Sequence, residues 1–164
     1  MNAGVSMPSW FDILTLSESG SEDEAGIHKA SEDVRKWVDD EISSTGLSSE
    51  RIFLGGFSQG GALAMYTALK YPSKLGGCLA MSSWLPLRNE FPEALSQQNK
   101  NLRIFHGHGT SDFVVPFRWG EASRLFLQNI GVTNYTFKAY AGMAHSSCNE
   151  EMSDIADFFS SVGK

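Results

Sequence analysis

The sequence predicts an α/β fold: a mostly parallel sheet with helices on both faces. Three observations carry that expectation. Short apolar runs of strand length alternate with longer stretches of helical spacing, several strands read as buried runs, and a glycine-rich turn joins one of them directly to a helix. With 164 residues, 41% hydrophobic and 20% charged, and no repeat, low-complexity tract or linker, residues 1–164 are expected to form one domain.

Residues 1–16 hold Pro8, Trp10 and Phe11 without a sustained period and read as an extended, partly buried segment. Ser21 and Glu24 match an S-x-x-E capping box, after which Ile27, Ala30, Val34, Trp37, Val38 and Ile42 recur at helical spacing until Gly46. Residues 51–56 then form a short apolar run ending in glycine, followed by small residues 59–71 and a stop at Pro72, which reads as strand, tight turn and helix. Residues 77–81, 102–105 and 135–140 are the remaining strands, and helices are expected around 119–130 and 150–162.

Thirteen basic residues against nineteen acidic ones give a formal charge of −6, so no nucleic-acid partner is expected. No stretch approaches the roughly eighteen consecutive apolar residues of a membrane span, and residues 1–4 do not open a basic-then-apolar leader. A cytoplasmic location follows as the expectation, with Cys78 and Cys148 reduced and buried.

The chemistry centres on Gly56-Phe57-Ser58-Gln59-Gly60, a G-x-S-x-G turn between a buried strand and a helix. That context is the nucleophile elbow of the α/β-hydrolase fold, in which glycines let helix and strand approach while a strained serine is pushed out at the sheet's carboxyl edge. The Gln59 amide, at the helix N-terminus, can face the oxyanion formed when Ser58 attacks a carbonyl. A serine hydroxyl needs a base, and the base needs an acid, in the order serine, acid, histidine. Asp112 follows the 102–105 strand and His145 follows the 135–140 strand, so both reach the rim that carries Ser58. Glu121, the other acid between them, falls inside a predicted helix, and His145 is the sole histidine after Asp112.

His106-Gly107-His108-Gly109 reads as a strand end turning into the acid loop; a metal pair lacks a third ligand nearby, and an oxyanion loop belongs upstream of the nucleophile. His28, on the long helix, is expected to be solvated. Trp84 and Leu85 follow one strand and Phe113 and Val114 follow the acid, placing apolar side chains at the rim as candidate substrate-binding residues. Val115 is expected in the core, and Cys148 as a buried thiol that starts the last helix.

Several of these segments in register resemble one family. Residues 8–12 (Pro-Ser-Trp-Phe-Asp), 55–62 around the elbow, 83–87 (Ser-Trp-Leu-Pro-Leu), the 109–116 acid loop and His145-Ser146-Ser147-Cys148 are similar to the acyl-protein thioesterases, also called lysophospholipase-like carboxylesterases. The resemblance implies hydrolysis of S-acyl (palmitoyl) thioesters on protein cysteines, with lysophospholipid or small-ester cleavage as a side activity and no metal or organic cofactor. It implies S-acylated proteins or acyl-ester and lysolipid substrates as partners, with only transient contact with membrane surfaces. It places Ser58, Asp112 and His145 in the triad, Gln59 at one oxyanion donor and Trp84 beside the acyl channel. The family's first strands, its H-G-x-G-D loop with the second oxyanion donor, and its N-terminal lipidation cysteine have no counterpart in this sequence. The expectation is therefore an N-terminally truncated domain whose elbow strand becomes an edge; only if such a chain hydrolysed as fast as an extended one would the amides of residues 107–109 be the place to seek a second donor. The alternative it leaves is a catalytically impaired product that binds acyl chains or partners.

Overall fold

The structure, a computed structural model, describes residues 8–15 and 20–160. Its elements are α1 (Glu24–Thr45), β1 (Phe53–Phe57), α2 (Gln59–Lys70), β2 (Gly77–Met81), β3 (Ile104–Gly109), α3 (Phe117–Asn129), β4 (Tyr135–Tyr140) and α4 (Asn149–Ser160), with short 3-10 turns at Ser49–Arg51, Arg88–Glu90 and Gln97–Asn99. The four strands pair in parallel in the order β1-β2-β3-β4. Among the described residues, β1 has a strand partner on its β2 side alone.

Register explains the layering. Gly56, Ala80, His106 and Phe137 are neighbours across the sheet and share one face. That face receives α2, where Gly56 meets Gly60, and α3, where Phe117 packs on Phe137 and His108. Helix α1 lies behind α2, joined to it by the buried Thr67–Ser31 hydroxyl pair at 2.9 Å. The opposite face presents Phe53 and Phe105 to Phe158 of α4, and Tyr140 donates its hydroxyl to Asp154 there. Helices on both faces explain why β3 is buried at every position and lacks the two-residue alternation of a one-sided sheet.

Several boundaries differ from the sequence reading. The cap of α1 is Asp23, whose Oδ1 accepts the Gly26 N–H at 3.0 Å, in place of the Ser21–Glu24 box. Asp23 wins because its charge complements the helix N-terminus and its second oxygen takes the Asp12 N–H, tying down the preceding segment. Trp37 stands 56% exposed, packed edge-on against Trp10 at 5.9 Å, and is not on the buried stripe. Strand β3 runs on through His106 to Gly109, and residues 51–52 and 102–103 lie outside the strands expected there. Residues 8–15 form no regular element, and the parts of the extended segment and last helix expected at residues 1–7, 16 and 161–162 lie outside the described residues. Cys78 and Cys148 are free thiols; burial pushes Cys78 up to about 12, while Cys148 is only partly buried. No helix among the described residues is long and apolar enough to cross a membrane.

Glu151, in the first turn of α4, is fully buried against Gly107, and neither carboxyl oxygen has a partner among the described residues. Burial, with repulsion from Asp154, pushes its carboxyl up from 4.5 to about 7. The folded chain thus keeps a proton that the unfolded chain releases, so the stability this group permits is complete below 4.5 and lost as pH rises toward about 7. Glu151→Gln, neutral at every pH, is expected to melt with wild type at acidic pH and above it at alkaline pH. Thermal melts at both ends check this; a pH-independent difference would contradict it.

Candidate active site

The turn at Ser58 is strained and held. Ser58 has φ 55° and ψ −123°, a conformation that a side-chain-bearing residue keeps only when its surroundings fix it. Its N–H donates to the Met81 carbonyl at 2.8 Å, while its own carbonyl accepts from the Ser83 hydroxyl at 2.9 Å and the Ala62 N–H at 3.0 Å. Gly56 allows the close approach: a Cβ there would stand 2.4 Å from the Gly60 carbonyl carbon, so α2 packs backbone to backbone on β1. The first intrahelical bond of α2 comes from Ala62, leaving the Gln59 amide ahead of it without an intrahelical acceptor.

Across the carboxyl edge of the sheet, His145 Nε2 lies 3.0 Å from Ser58 Oγ, and His145 Nδ1 lies 2.8 Å from Asp112 Oδ2. The ring of Phe57 packs on the imidazole with centroids 4.6 Å apart. Asp112 is buried, and its Oδ1 accepts the N–H groups of Val114 and Val115, both at 2.9 Å. The three residues expected to act together are therefore brought together, each delivered by the end of a different strand. Glu121 lies on α3.

His106 and His108 are buried residues of the end of β3, which runs on to Gly109 before turning into the acid loop. His108 Nε2 donates to the Val115 carbonyl at 2.9 Å and sits 3.5 Å from Asp112 Oδ2, so it braces the acid loop from below. Burial lowers the pKa of both rings, that of His106 to about 3. The H-x-H pattern was the available signal, since alternate residues of a strand share a face. His28 is not merely solvated: its Nε2 meets Glu90 Oε1 at 2.5 Å. With Glu24 these two make the metal-type grouping found among the described residues, but Glu90 is already held by the Lys70 ammonium and Tyr66 hydroxyl, each at 2.7 Å.

A cleft opens at Ser58 between residues 11–15 and 20–23 on one side and the loop after β2 on the other. Trp84, Leu85 and Val114, the candidate substrate-binding residues, line it, and so does Val115, which is buried as expected of a core residue. Phe113 does not. The two amides captured by Asp112 fold the chain into a tight turn, and Phe113 at its apex stands 91% exposed. Trp84 packs edge-on against Trp119 at 5.9 Å, and the Leu85 N–H is fixed by Ser123 Oγ at 2.8 Å. Sequence reasoning also missed the side chain of Gln59. Its Oε1 accepts the Trp10 N–H at 3.0 Å and its Nε2 donates to the Phe11 carbonyl at 2.7 Å, which seats Phe11 as a wall of the cleft.

The sheet order, the helices on both faces and the strand-turn-helix at Ser58 are those of an α/β hydrolase. The chain belongs to the phospholipase/carboxylesterase family, whose profile matches residues 1–162. It is 40% identical over 173 aligned residues to a protein named acyl-protein thioesterase 1 from Mycosarcoma maydis, covering 99% of this chain and 72% of that one. It is 43% identical to a probable carboxylesterase of Oryza sativa subsp. japonica, covering 92% of this chain and 57% of that one. Among solved structures, Arabidopsis thaliana SOBER1 superposes with a TM-score of 0.91 at 37% identity, covering 99% of this chain and 78% of its own. Zea mays acyl-protein thioesterase 2 superposes at 0.80 with 28% identity, covering 93% and 71%.

Proposed function

We propose that this member of a carboxylic ester hydrolase family cleaves acyl esters and S-acyl thioesters, palmitoylated protein cysteines among them, through an acyl-serine intermediate. The observation that carries the reading is the unbroken contact from Asp112 Oδ2 through His145 to Ser58 Oγ, at 2.8 and 3.0 Å, opening on an apolar cleft. His145 Nε2 takes the Ser58 proton as Oγ attacks the acyl carbon, and Asp112 holds the opposite ring N–H and stabilises the imidazolium. The Gln59 amide donates to the developing oxyanion at the positive end of α2. As the tetrahedral adduct collapses, the C–S or C–O bond breaks and His145 returns the proton to the leaving thiolate or alkoxide. Water, deprotonated by the same imidazole, then attacks the acyl-serine and releases the carboxylic acid with Ser58 restored. Trp84, Leu85 and Val114 are proposed to receive the acyl chain, at about 0.8 kcal/mol for each methylene removed from water.

A second reading, acyl-chain binding with impaired turnover, rests on one observation. Among the described residues the Gln59 amide is the one oxyanion donor assigned at Ser58, and a site with one donor fewer turns over about 10²- to 10³-fold more slowly. Hydrolysis of paired octanoyl oxyester and octanoyl thioester substrates tests both. Cleavage of thioester and oxyester supports the first reading; binding of the chain without turnover of either supports the second.

A further inference from the structure

Glu22 spans the cleft. It lies ahead of α1, and its Oε2 accepts the Leu87 N–H at 2.9 Å from a partner 65 positions away in sequence. The Trp84 side chain and the Arg88 guanidinium lie close enough to the same carboxylate to favour its charged form. Capping of α1 does not require Glu22, because Asp23 performs that role. Leu87 offers an independent sign that the contact holds something: it is a buried leucine at φ 48°, left-handed backbone that a branched side chain keeps only under constraint. Glu22 binds the amide of this constrained residue, and Trp84, Glu22 and Arg88 all line the cleft with Ser58.

We infer that Glu22 is a positioning residue that latches the loop after β2 to the segment before α1, fixing Trp84 as the wall that selects acyl-chain length. This inference rests on the ester-hydrolase reading above. Burial raises the carboxyl of Glu22, with Glu90 adding to that, while the Leu87 amide, Arg88 and Trp84 favour its charged form. The contact that ties the carboxylate to the wall is the Leu87 N–H at 2.9 Å. Removing it frees the loop at the far end of the cleft and leaves the Ser58, His145 and Asp112 contacts in place. The loss should appear on long acyl chains, which reach that wall, and not on a two-carbon chain.

The test is steady-state hydrolysis of octanoyl and acetyl p-nitrophenyl esters by wild type, Glu22→Ala and Glu22→Gln, with fluorophosphonate labelling as a control on Ser58. Glu22→Ala is expected to raise KM for the octanoyl ester about tenfold, the order that hydrogen bonds to a charged group command, with acetyl KM and both kcat values within about twofold. Glu22→Gln keeps a carbonyl oxygen for the Leu87 N–H and is expected to recover most of that loss. An equal KM rise on both esters, a fall in kcat alone, a lowered melting temperature with unchanged KM, or no rescue by glutamine would overturn the inference. Should wild type neither turn over an ester nor take the probe, the hydrolase reading falls, and the latch is decided by hexadecanoate binding read through tryptophan fluorescence. About tenfold weaker binding in Glu22→Ala would uphold it, and equal binding would overturn it.

Discussion

Ser58→Ala is expected to lower ester turnover by roughly 10⁴- to 10⁶-fold, because no other step in the proposed chemistry forms the acyl-enzyme bond. The size follows from the geometry. Among the described residues His145 Nε2 meets one nucleophile, the Ser58 hydroxyl at 3.0 Å, so removing that hydroxyl leaves only cleft binding and the Gln59 amide to assist water. The fold should survive. Ser58 makes no side-chain cap on α2, and its backbone is held through Met81, Ser83 and Ala62, none of which involves the hydroxyl. The melting transition should therefore stay within about 0.5 kcal/mol of wild type. Turnover of an octanoyl ester and thermal melting of the same preparation check both halves. Activity retained above a few per cent would move the nucleophile elsewhere.

Asp112→Asn comes second, with an expected loss of about 10⁴-fold in kcat. The carboxylate has two jobs on its two oxygens: Oδ2 faces His145 Nδ1, and Oδ1 closes the turn onto Val114 and Val115. An asparagine whose carbonyl keeps the turn must present its amide N–H₂ to His145, which favours the tautomer that cannot accept the Ser58 proton. Asparagine thus separates chemistry from folding, and circular dichroism should be unchanged. Asp112→Ala would lose both contacts and confuse them. A kcat within tenfold of wild type for the asparagine variant would show that Asp112 serves the turn alone.

How far the sequence foretold this arrangement depended on how local each signal was. The strand, glycines and helix around Ser58 are adjacent in sequence, so the elbow and parallel sheet were legible, although β1, expected to be buried, is half-buried or exposed along its whole length. Asp112 and His145 were legible by a weaker rule, the end of a strand, which fixes the rim but not the distances. Phe113 shows where that rule stops. Its direction is set by which amides the Asp112 carboxylate captures, and composition says nothing of that. The strand was expected to turn into the acid loop within H-G-H-G, but β3 is buried on both faces and keeps both rings and the glycine between them in the strand. The Glu22–Leu87 contact and the grip of Gln59 on residues 10 and 11 join segments far apart in the chain, and no periodicity encodes them.

The central claim is that Ser58 is an activated nucleophile. Incubation of the chain with a fluorophosphonate, followed by mass spectrometry of the digested protein, tests it most directly, because a hydroxyl reacts fast only when a base and an oxyanion donor already surround it. The expected result is one adduct per chain, on the peptide carrying Ser58, absent from Ser58→Ala and strongly slowed in His145→Ala. No adduct, an adduct on another serine, or labelling indifferent to His145 would contradict it.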